Sequence, residues 1–165
     1  MEIRLTQEEK YRSNRTHQIS HIEWNKQNIL NWNNPLSIAL TTRFIETPEI
    51  QMRKEYSKFV NRLSKRVFPN AYRRYGKLVK ETAYIEYGKD NHQIHAHMLV
   101  ETHPKTNISE FRNLIDKTWT FGTCKLRRVD DVDDYINQYN AKFKTKKIPD
   151  TGFVVSESQI LVSKY

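Results

Sequence analysis

This chain of 165 residues has few of the residues from which several common kinds of site are built. Its single cysteine, Cys124, excludes an intrachain disulfide and any zinc site made of cysteines. The four glycines form neither a phosphate-binding P-loop nor a dinucleotide fingerprint, which argues against a nucleotide cofactor in this chain. No run of about 18 apolar residues occurs, and the N-terminus lacks the apolar core of a signal peptide. We therefore expect a soluble, intracellular protein with no membrane partner.

Acidic side chains are also few beside the basic ones, with 19 Asp and Glu against 28 Lys and Arg and a net charge of +9. This excess favours a polyanionic partner, and nucleic acid is the first candidate. Aromatic residues make up 12% of the chain, which suits base stacking on single strands, although most of them belong in a core. A hydrophobic content of 37% predicts one globular domain. We expect that domain to span residues 36–165, after a polar lead-in at residues 1–35.

Hydrophobic spacing predicts an α+β protein in which a mostly antiparallel sheet carries its helices on one face. The expected order of elements along the chain is β, α, β, β, α, β, α, β. The expected elements are a strand at 36–44, a helix opened by Pro48, a hairpin at 80–102, a helix behind the capping box of Asn107 and Glu110, a strand at 123–129, a helix that opens with the acidic residues at 130–134, and one or two strands from 153.

Two histidines on one predicted strand are the first candidate site. Side chains alternate between the faces of a strand, so His95 and His97 project from the same face of the hairpin. If Ala83 and Ile85 lie on the opposite, buried face, then Glu86 joins the histidines. Two imidazoles and one carboxylate make a plausible divalent-metal site. Surface histidines without a metal also show this spacing, so the spacing alone leaves both interpretations open.

A late helix carries the second candidate set. Four of its residues recur at helical spacing and share one face: Tyr135, Tyr139, Lys142 and Lys146. A phenol with a pKa near 10 is a poor nucleophile at neutral pH, but a lysine and a divalent cation nearby both favour the phenolate. The cation also polarises a phosphate oxygen, so the set predicts attack by tyrosine on a phosphodiester and a phosphotyrosine intermediate. Amphipathic tyrosines beside a core stripe, followed by a basic helix end, are the alternative interpretation.

Three motifs together resemble those of the HUH endonucleases, the superfamily of rolling-circle replication initiators (Rep), conjugative relaxases and some single-strand transposases. The motifs are Thr41-Thr42 at the end of the first strand, His95-Ala96-His97 on a central strand and Tyr139-Asn140-Ala141-Lys142 on the late helix, within roughly residues 36–146. The resemblance implies a five-stranded, ferredoxin- or RRM-like sheet with a metal and a tyrosine on its open face. It also implies Mg²⁺ or Mn²⁺, a 5′-phosphotyrosine and a free 3′-OH. By this resemblance, His95, His97 and Glu86 are the metal ligands, and the Tyr-x-x-Lys motif corresponds to Tyr139 and Lys142.

The Rep type fits this chain best. Tyr135 and Tyr139 make a Tyr-x-x-x-Tyr segment that short transposases lack, and relaxases usually carry their tyrosine near the N-terminus. We therefore expect a metal-dependent, sequence-specific nickase and strand transferase that initiates rolling-circle replication. Its partner would be single-stranded or hairpin DNA at a replication origin, in the host cytoplasm for a phage or plasmid protein or in the nucleus for a eukaryotic element. The basic residues expected to contact DNA are Arg43, Lys125, Arg127 and Lys146.

Three alternatives remain at this stage. A single-strand transposase of the same superfamily would keep the site and change the biological process. A non-haem metal oxygenase also uses two histidines and a carboxylate, but it requires a double-stranded β-helix, which several helices and a basic charge do not favour. An RRM-like nucleic-acid-binding module would use the sheet aromatics and leave Glu86, His95 and His97 without a purpose.

Overall fold

The computed structural model describes residues 27, 29–88, 93–131, 133–135 and 153–154. Within these residues the chain forms five strands and three helices of more than one turn. In chain order they are β1 (Pro35–Thr41), α1 (Glu49–Val67), α2 (Pro69–Tyr75), β2 (Glu81–Tyr87), β3 (Ile94–Glu101), α3 (Ile108–Thr118), β4 (Cys124–Arg128) and β5 (Phe153–Val154). None of the helices in this part of the chain has both the length and the apolar character that crossing a membrane requires.

The five described strands form one antiparallel sheet in the order β4-β1-β3-β2-β5. The predicted α+β class, with a mostly antiparallel five-stranded sheet, is confirmed, and the sheet does not close into a barrel. The 80–102 hairpin is formed by β2 and β3, and the Gly88 N–H donates to the Gln93 carbonyl at 3.0 Å where the two strands meet. The predicted turn residues between Gly88 and Gln93 lie outside the described part of the chain.

One face of the sheet is apolar because every second residue of its strands is hydrophobic, and the helices cover that face. α1 and α3 place their own apolar stripes on it, as the helical spacing predicted. The core formed in this way excludes water from both layers and is the main stabilising contribution to the fold. The strand residues buried in it are Leu36, Ile38, Leu40, Ala83, Ile85, Ile94, Ala96, Met98, Val100 and Leu126, and the helix residues include Met52, Tyr56, Phe59, Leu63, Phe111 and Ile115.

Three local features differ from or sharpen the predicted elements. The regular part of the first strand ends at Thr41 rather than at residue 44, because the Thr42 hydroxyl donates to the Phe44 carbonyl at 2.9 Å and turns the chain. α2, which hydrophobic spacing did not predict, begins at Pro69 and ends at Gly76, whose φ of 64° is left-handed. The capping box is confirmed at Asn107, whose side chain accepts from the first-turn N–H groups of α3.

Backbone proximity groups Asn33–Asp130 with Lys147–Tyr165 as one compact unit, which contains the sheet. The described residues up to Trp32 and from Asp131 to Tyr135 belong to a second unit. In that unit residues 133–135 are helical, and the Asp131 carboxylate accepts from the Asp134 N–H at 3.0 Å, which is the predicted acidic start of a helix. The division into a lead-in at 1–35 and a domain at 36–165 stays a prediction.

Candidate metal centre

The register of β2 and β3 brings the three predicted ligands to one face of the sheet. Glu86 lies directly opposite His95, and Ile85 lies opposite Ala96 on the face that the helices cover. Because side chains alternate, Glu86, His95 and His97 project from the other face, which carries no helix of this unit among its described elements. This is the arrangement that the sequence pattern predicted.

The three side chains meet at one carboxylate oxygen. The Oε1 atom of Glu86 lies 3.0 Å from the Nε2 atom of His95 and 3.0 Å from the Nε2 atom of His97. The two imidazole rings are 4.9 Å apart between centroids and nearly perpendicular, and one ligand atom from each residue lies within 4.8 Å of the others. The side chains are 12–21% exposed, so the cluster is sheltered but open to solvent on one side.

The second nitrogen of His95 bears on what the cluster holds. Its Nδ1 atom lies 3.2 Å from the Gln93 carbonyl oxygen, which can only accept, so this contact is a hydrogen bond when Nδ1 carries the proton. In a neutral ring Nε2 then presents a lone pair, and it faces a Glu86 oxygen that is also an acceptor. A cation held between the two atoms removes this conflict. Metal-binding histidines commonly donate their other N–H to a carbonyl in this way.

The donor set fits a divalent cation. Two imidazole nitrogens and one carboxylate oxygen are ligands for Mn²⁺ and other first-row divalent metals, and the carboxylate also suits Mg²⁺. Adjacent ligands in an octahedral site with bonds of about 2.1 Å are about 3.0 Å apart, the separation of Oε1 from each Nε2 atom. Three ligands from two strands also leave coordination positions open on the exposed side. The cluster can therefore bind a metal, and Mn²⁺ and Mg²⁺ remain the expected ions.

The Thr41-Thr42 motif holds the end of β1 against the start of β3. Thr41 pairs with His95 across the two strands, and its carbonyl accepts from the Trp119 Nε1–H at 3.0 Å. The buried Thr42 hydroxyl lies 3.3 Å from the Ile94 carbonyl. Thr42 also accepts through its carbonyl from the Gln93 side chain at 2.5 Å. Sequence reasoning missed the part played by Gln93 and Trp119, because no local pattern marks a residue that acts through a distant carbonyl.

Gly122 gives a test of this support. A Cβ atom at this position would lie 1.8 Å from the Thr41 carbonyl oxygen, so Gly122→Ala must displace the end of β1. We expect a loss of about 1–3 kcal/mol in the free energy of unfolding, and weaker Mn²⁺ binding because Thr41 pairs with His95. Urea denaturation and Mn²⁺ titration measure the two effects. Gly76→Ala is the matched control: its left-handed backbone costs about 1 kcal/mol, but its Cβ meets nothing. Equal Mn²⁺ affinity in both variants would contradict the role of Gly122.

Two of the predicted DNA-contacting residues share the metal-bearing face. Lys125 and Arg127 are exposed on β4 and alternate with the core residue Leu126. Lys125 pairs with Ala39 of β1, and Ala39 pairs with His97, so Lys125 lies two strand spacings, about 10 Å, from the cluster.

The other predicted site residues lie elsewhere. Arg43 is exposed in the loop after β1. Tyr135 is half-buried, and its N–H donates to the Asp131 carbonyl at 3.1 Å within the second unit. Tyr139, Lys142 and Lys146 lie outside the described residues, so their assignments stay predictions.

An α+β sheet with a Glu-His-His cluster on its open face defines the class of domain, and comparison with known families gives the particular family. The family model of the replication-associated protein ORF2 matches residues 35–144, about two thirds of the chain. The chain belongs to this family of replication-associated proteins, and the predicted resemblance to Rep-type initiators is confirmed at that level. Among solved structures, the chain is similar to the hypothetical protein ORF119 from Sulfolobus islandicus rod-shaped virus 1, with 19% identity, a TM-score of 0.45 and coverage of 79% of this chain and 97% of that chain. No curated protein matches the sequence.

Proposed function

We propose that this protein is a metal-dependent endonuclease and strand transferase that nicks single-stranded DNA to initiate rolling-circle replication. The observation that carries the proposal is the convergence of Glu86, His95 and His97 on the open face of the sheet, in a chain that belongs to a replication-associated family. The substrate would be single-stranded or hairpin DNA at a replication origin. The transposase alternative keeps the same chemistry and differs only in the DNA that is rejoined.

In this proposal the phenolic oxygen of Tyr139 attacks a phosphodiester. A bond forms between that oxygen and the phosphorus, the bond from phosphorus to the 3′ oxygen breaks, and the 3′ oxygen leaves and gains a proton. The 5′ end of the cut strand is then joined to the tyrosine. Lys142, one helical turn further on, favours the phenolate. Glu86, His95 and His97 would hold the divalent ion, which when bound supplies a Lewis acid for a phosphate oxygen.

The exposed cations of β4 support a path for the strand over the open face. Lys125 and Arg127 lie on the same face as the metal cluster and can neutralise phosphates on one side of it. The non-haem oxygenase alternative has no support from an open sheet backed by helices. An RRM-like binder would use the same face without cleavage, and it is the alternative that the following experiment tests.

The direct experiment is an adduct assay. The protein is incubated with labelled single-stranded oligonucleotides from candidate origins and Mn²⁺, then separated on a denaturing gel. A labelled band that migrates with the protein and disappears after protease treatment supports the proposal, together with a free 3′-OH on the other fragment. Retarded mobility in a native gel, with no adduct for any oligonucleotide and with Mn²⁺ bound, would favour the RRM-like binder instead.

Glu86 gives a sharper test of the metal site. Glu86→Gln keeps the shape of the side chain and removes its charge, so Mn²⁺ affinity should fall at least about tenfold while the melting temperature changes little. Isothermal titration with Mn²⁺ and a thermal melt without metal measure the two effects. Glu110→Gln, on the exposed first turn of α3, is the matched control for loss of one carboxylate. Unchanged Mn²⁺ affinity together with a collapsed melting temperature would show that Glu86 is structural.

A further inference from the structure

The sequence from Tyr56 to Lys80 contains eight basic residues and no acidic one. It covers the C-terminal half of α1, all of α2 and the segment that leads to β2. Cations in the last turn of a helix complement its dipole, and Lys65, Arg66, Arg73 and Arg74 have such positions. The dipole accounts for one or two charges at each helix end, but not for a whole stretch without a counter-charge.

The charges of α1 form a stripe along the helix rather than a scattered set. Lys54, Lys58, Arg62 and Arg66 follow one another at intervals of four residues, so they lie one above another on the side away from the core. The stripe spans 12 residues, or roughly 18 Å at 1.5 Å per residue. Like charges at this spacing oppose helix formation by about 0.2–0.5 kcal/mol per pair, so fold stability does not explain them.

The short helix α2 extends this charged surface. α2 follows α1 directly, and the Tyr72 hydroxyl lies 3.5 Å from the Asn61 side-chain oxygen, which places the outer sides of the two helices side by side. Arg73 and Arg74 are exposed there, and Tyr75 is 81% exposed beside them. We call the outward side of α1 and α2 the helical basic surface. Its cations are Lys54, Lys58, Arg62, Lys65, Arg66, Arg73 and Arg74.

Few of these cations have partners in the described part of the chain. The ammonium group of Lys58 contacts Glu55 at 2.7 Å, whereas no described acidic group pairs with Lys65, Arg66, Arg73 or Arg74. The half-buried Arg62 has Nε and Nη2 atoms that are shielded from solvent and lack a hydrogen-bond acceptor among the described residues. Shielded N–H groups without an acceptor cost free energy. An anion at this surface would supply that acceptor once the side chain rotates outward.

The helical basic surface lies on the opposite side of the sheet from the metal cluster. α1 packs on the strand residues Ile85, Ala96 and Met98, whereas Glu86, His95 and His97 project from the other face of the same strands. A strand bound over the cluster therefore does not contact the outward side of α1 and α2 unless it passes around the edge of the sheet. The two surfaces can hold different segments of DNA at the same time.

We propose that the helical basic surface is a second DNA-binding surface, and that it contacts the phosphate backbone of duplex DNA. A stripe of roughly 18 Å faces about ten phosphate charges, because duplex DNA carries one charge per 1.7 Å of axis. Surfaces that bind single strands combine cations with several stacking aromatics, and here Tyr75 is the one large aromatic described as exposed. The inference rests on family membership in DNA replication and not on the nickase chemistry, so each can fail without the other.

The test compares two matched double variants of one surface and another. Arg73→Gln with Arg74→Gln removes two cations from the helical basic surface, and Arg112→Gln with Lys117→Gln removes two exposed cations from α3. Affinity for a 30-bp duplex of unrelated sequence is measured by fluorescence anisotropy in EDTA, over a range of salt concentrations. We expect the α2 variant to bind at least about fivefold more weakly and to reduce the slope of log K against log salt by about 2, whereas the α3 variant stays within about twofold.

A quadruple variant extends the series and separates the two proposals. Lys65, Arg66, Arg73 and Arg74, all changed to Gln, should reduce the salt slope by about 3–4 and leave adduct formation with a short single-stranded oligonucleotide unchanged. Equal losses in the α2 and α3 variants would show that only net charge matters and would overturn the proposal. Loss of binding to vesicles with 30% phosphatidylserine, with duplex binding unchanged, would assign the surface to an anionic membrane instead. Loss of the adduct in Tyr139→Phe concerns the nickase proposal alone.

Discussion

His97→Ala is expected to reduce formation of the covalent protein–DNA adduct by about 10³-fold, equal to about 4 kcal/mol of transition-state stabilisation. The imidazole is one of three groups that converge on the cluster, and an alanine leaves a nitrogen and an oxygen to hold the ion. Affinity for single-stranded DNA should stay within about threefold, because Lys and Arg contacts to phosphate supply most of the binding free energy. The adduct assay with Mn²⁺ and fluorescence anisotropy measure the two quantities.

His103→Ala is the matched control, since His103 is exposed in the loop after β3 and lies away from the cluster. It should retain full adduct formation. EDTA should abolish the adduct in the wild type, and titrated Mn²⁺ should restore it there but not in His97→Ala at the same concentration. Equal cleavage by wild type and His97→Ala, with and without EDTA, would contradict the metal proposal.

Tyr139→Phe is expected to abolish the adduct, because the substitution removes the attacking oxygen and almost nothing else. Tyr139 is preferred over Tyr135 because Lys142 follows it by three residues, whereas Gln138, which follows Tyr135 by three, carries no charge. The loss should exceed about 10³-fold in single-turnover assays, with Mn²⁺ affinity unchanged. Trapping on a 5′-labelled suicide oligonucleotide, followed by peptide mass spectrometry, identifies the modified residue.

The companion variant Tyr135→Phe decides the part of the second tyrosine. If Tyr135 accepts the strand in a later transfer, its variant should form the first adduct and fail in rejoining. If Tyr135 stacks on a base, DNA affinity should change little because phenylalanine also stacks. Tyr75→Phe on α2 controls for loss of one hydroxyl. Loss of the adduct in Tyr135→Phe alone would reverse the assignment, and loss only in the double variant would mean that either tyrosine attacks.

Alternation along two strands was enough to predict which side chains share a face. The buried run of Ala83 and Ile85 set the register of β2 against β3, and a slip of one residue would have moved Glu86 into the core. The capping box at Asn107 and the apolar spacing of α1 were equally local signals, and both helices form where they were expected. The predicted metal cluster therefore rested on two strands joined by a short turn, whose pairing needs no information from distant residues.

Other parts of the fold depended on contacts that no local pattern encodes. α2 begins at Pro69 directly after α1, and its polar sequence contributes no residue to the core, so hydrophobic spacing did not reveal it. Gln93, Trp119 and Gly122 support the end of β1 through the backbone carbonyls of Thr41 and Thr42. A hydrogen bond to a carbonyl leaves no trace in the identity of the residue that accepts it.

By itself, then, the sequence determined the class of fold, the metal-binding triad and the basic character of the protein, because strand alternation, helical spacing and net charge are properties of the local chain. Only the tertiary structure decided that His95 and His97 share one Glu86 oxygen, and that Lys125 lies across β1 on the same face. It also decided that the cations of α1 and α2 lie behind the sheet. These arrangements arise when strands distant in sequence pair and the helices cover one side of the sheet, so they follow from packing and not from the order of residues alone.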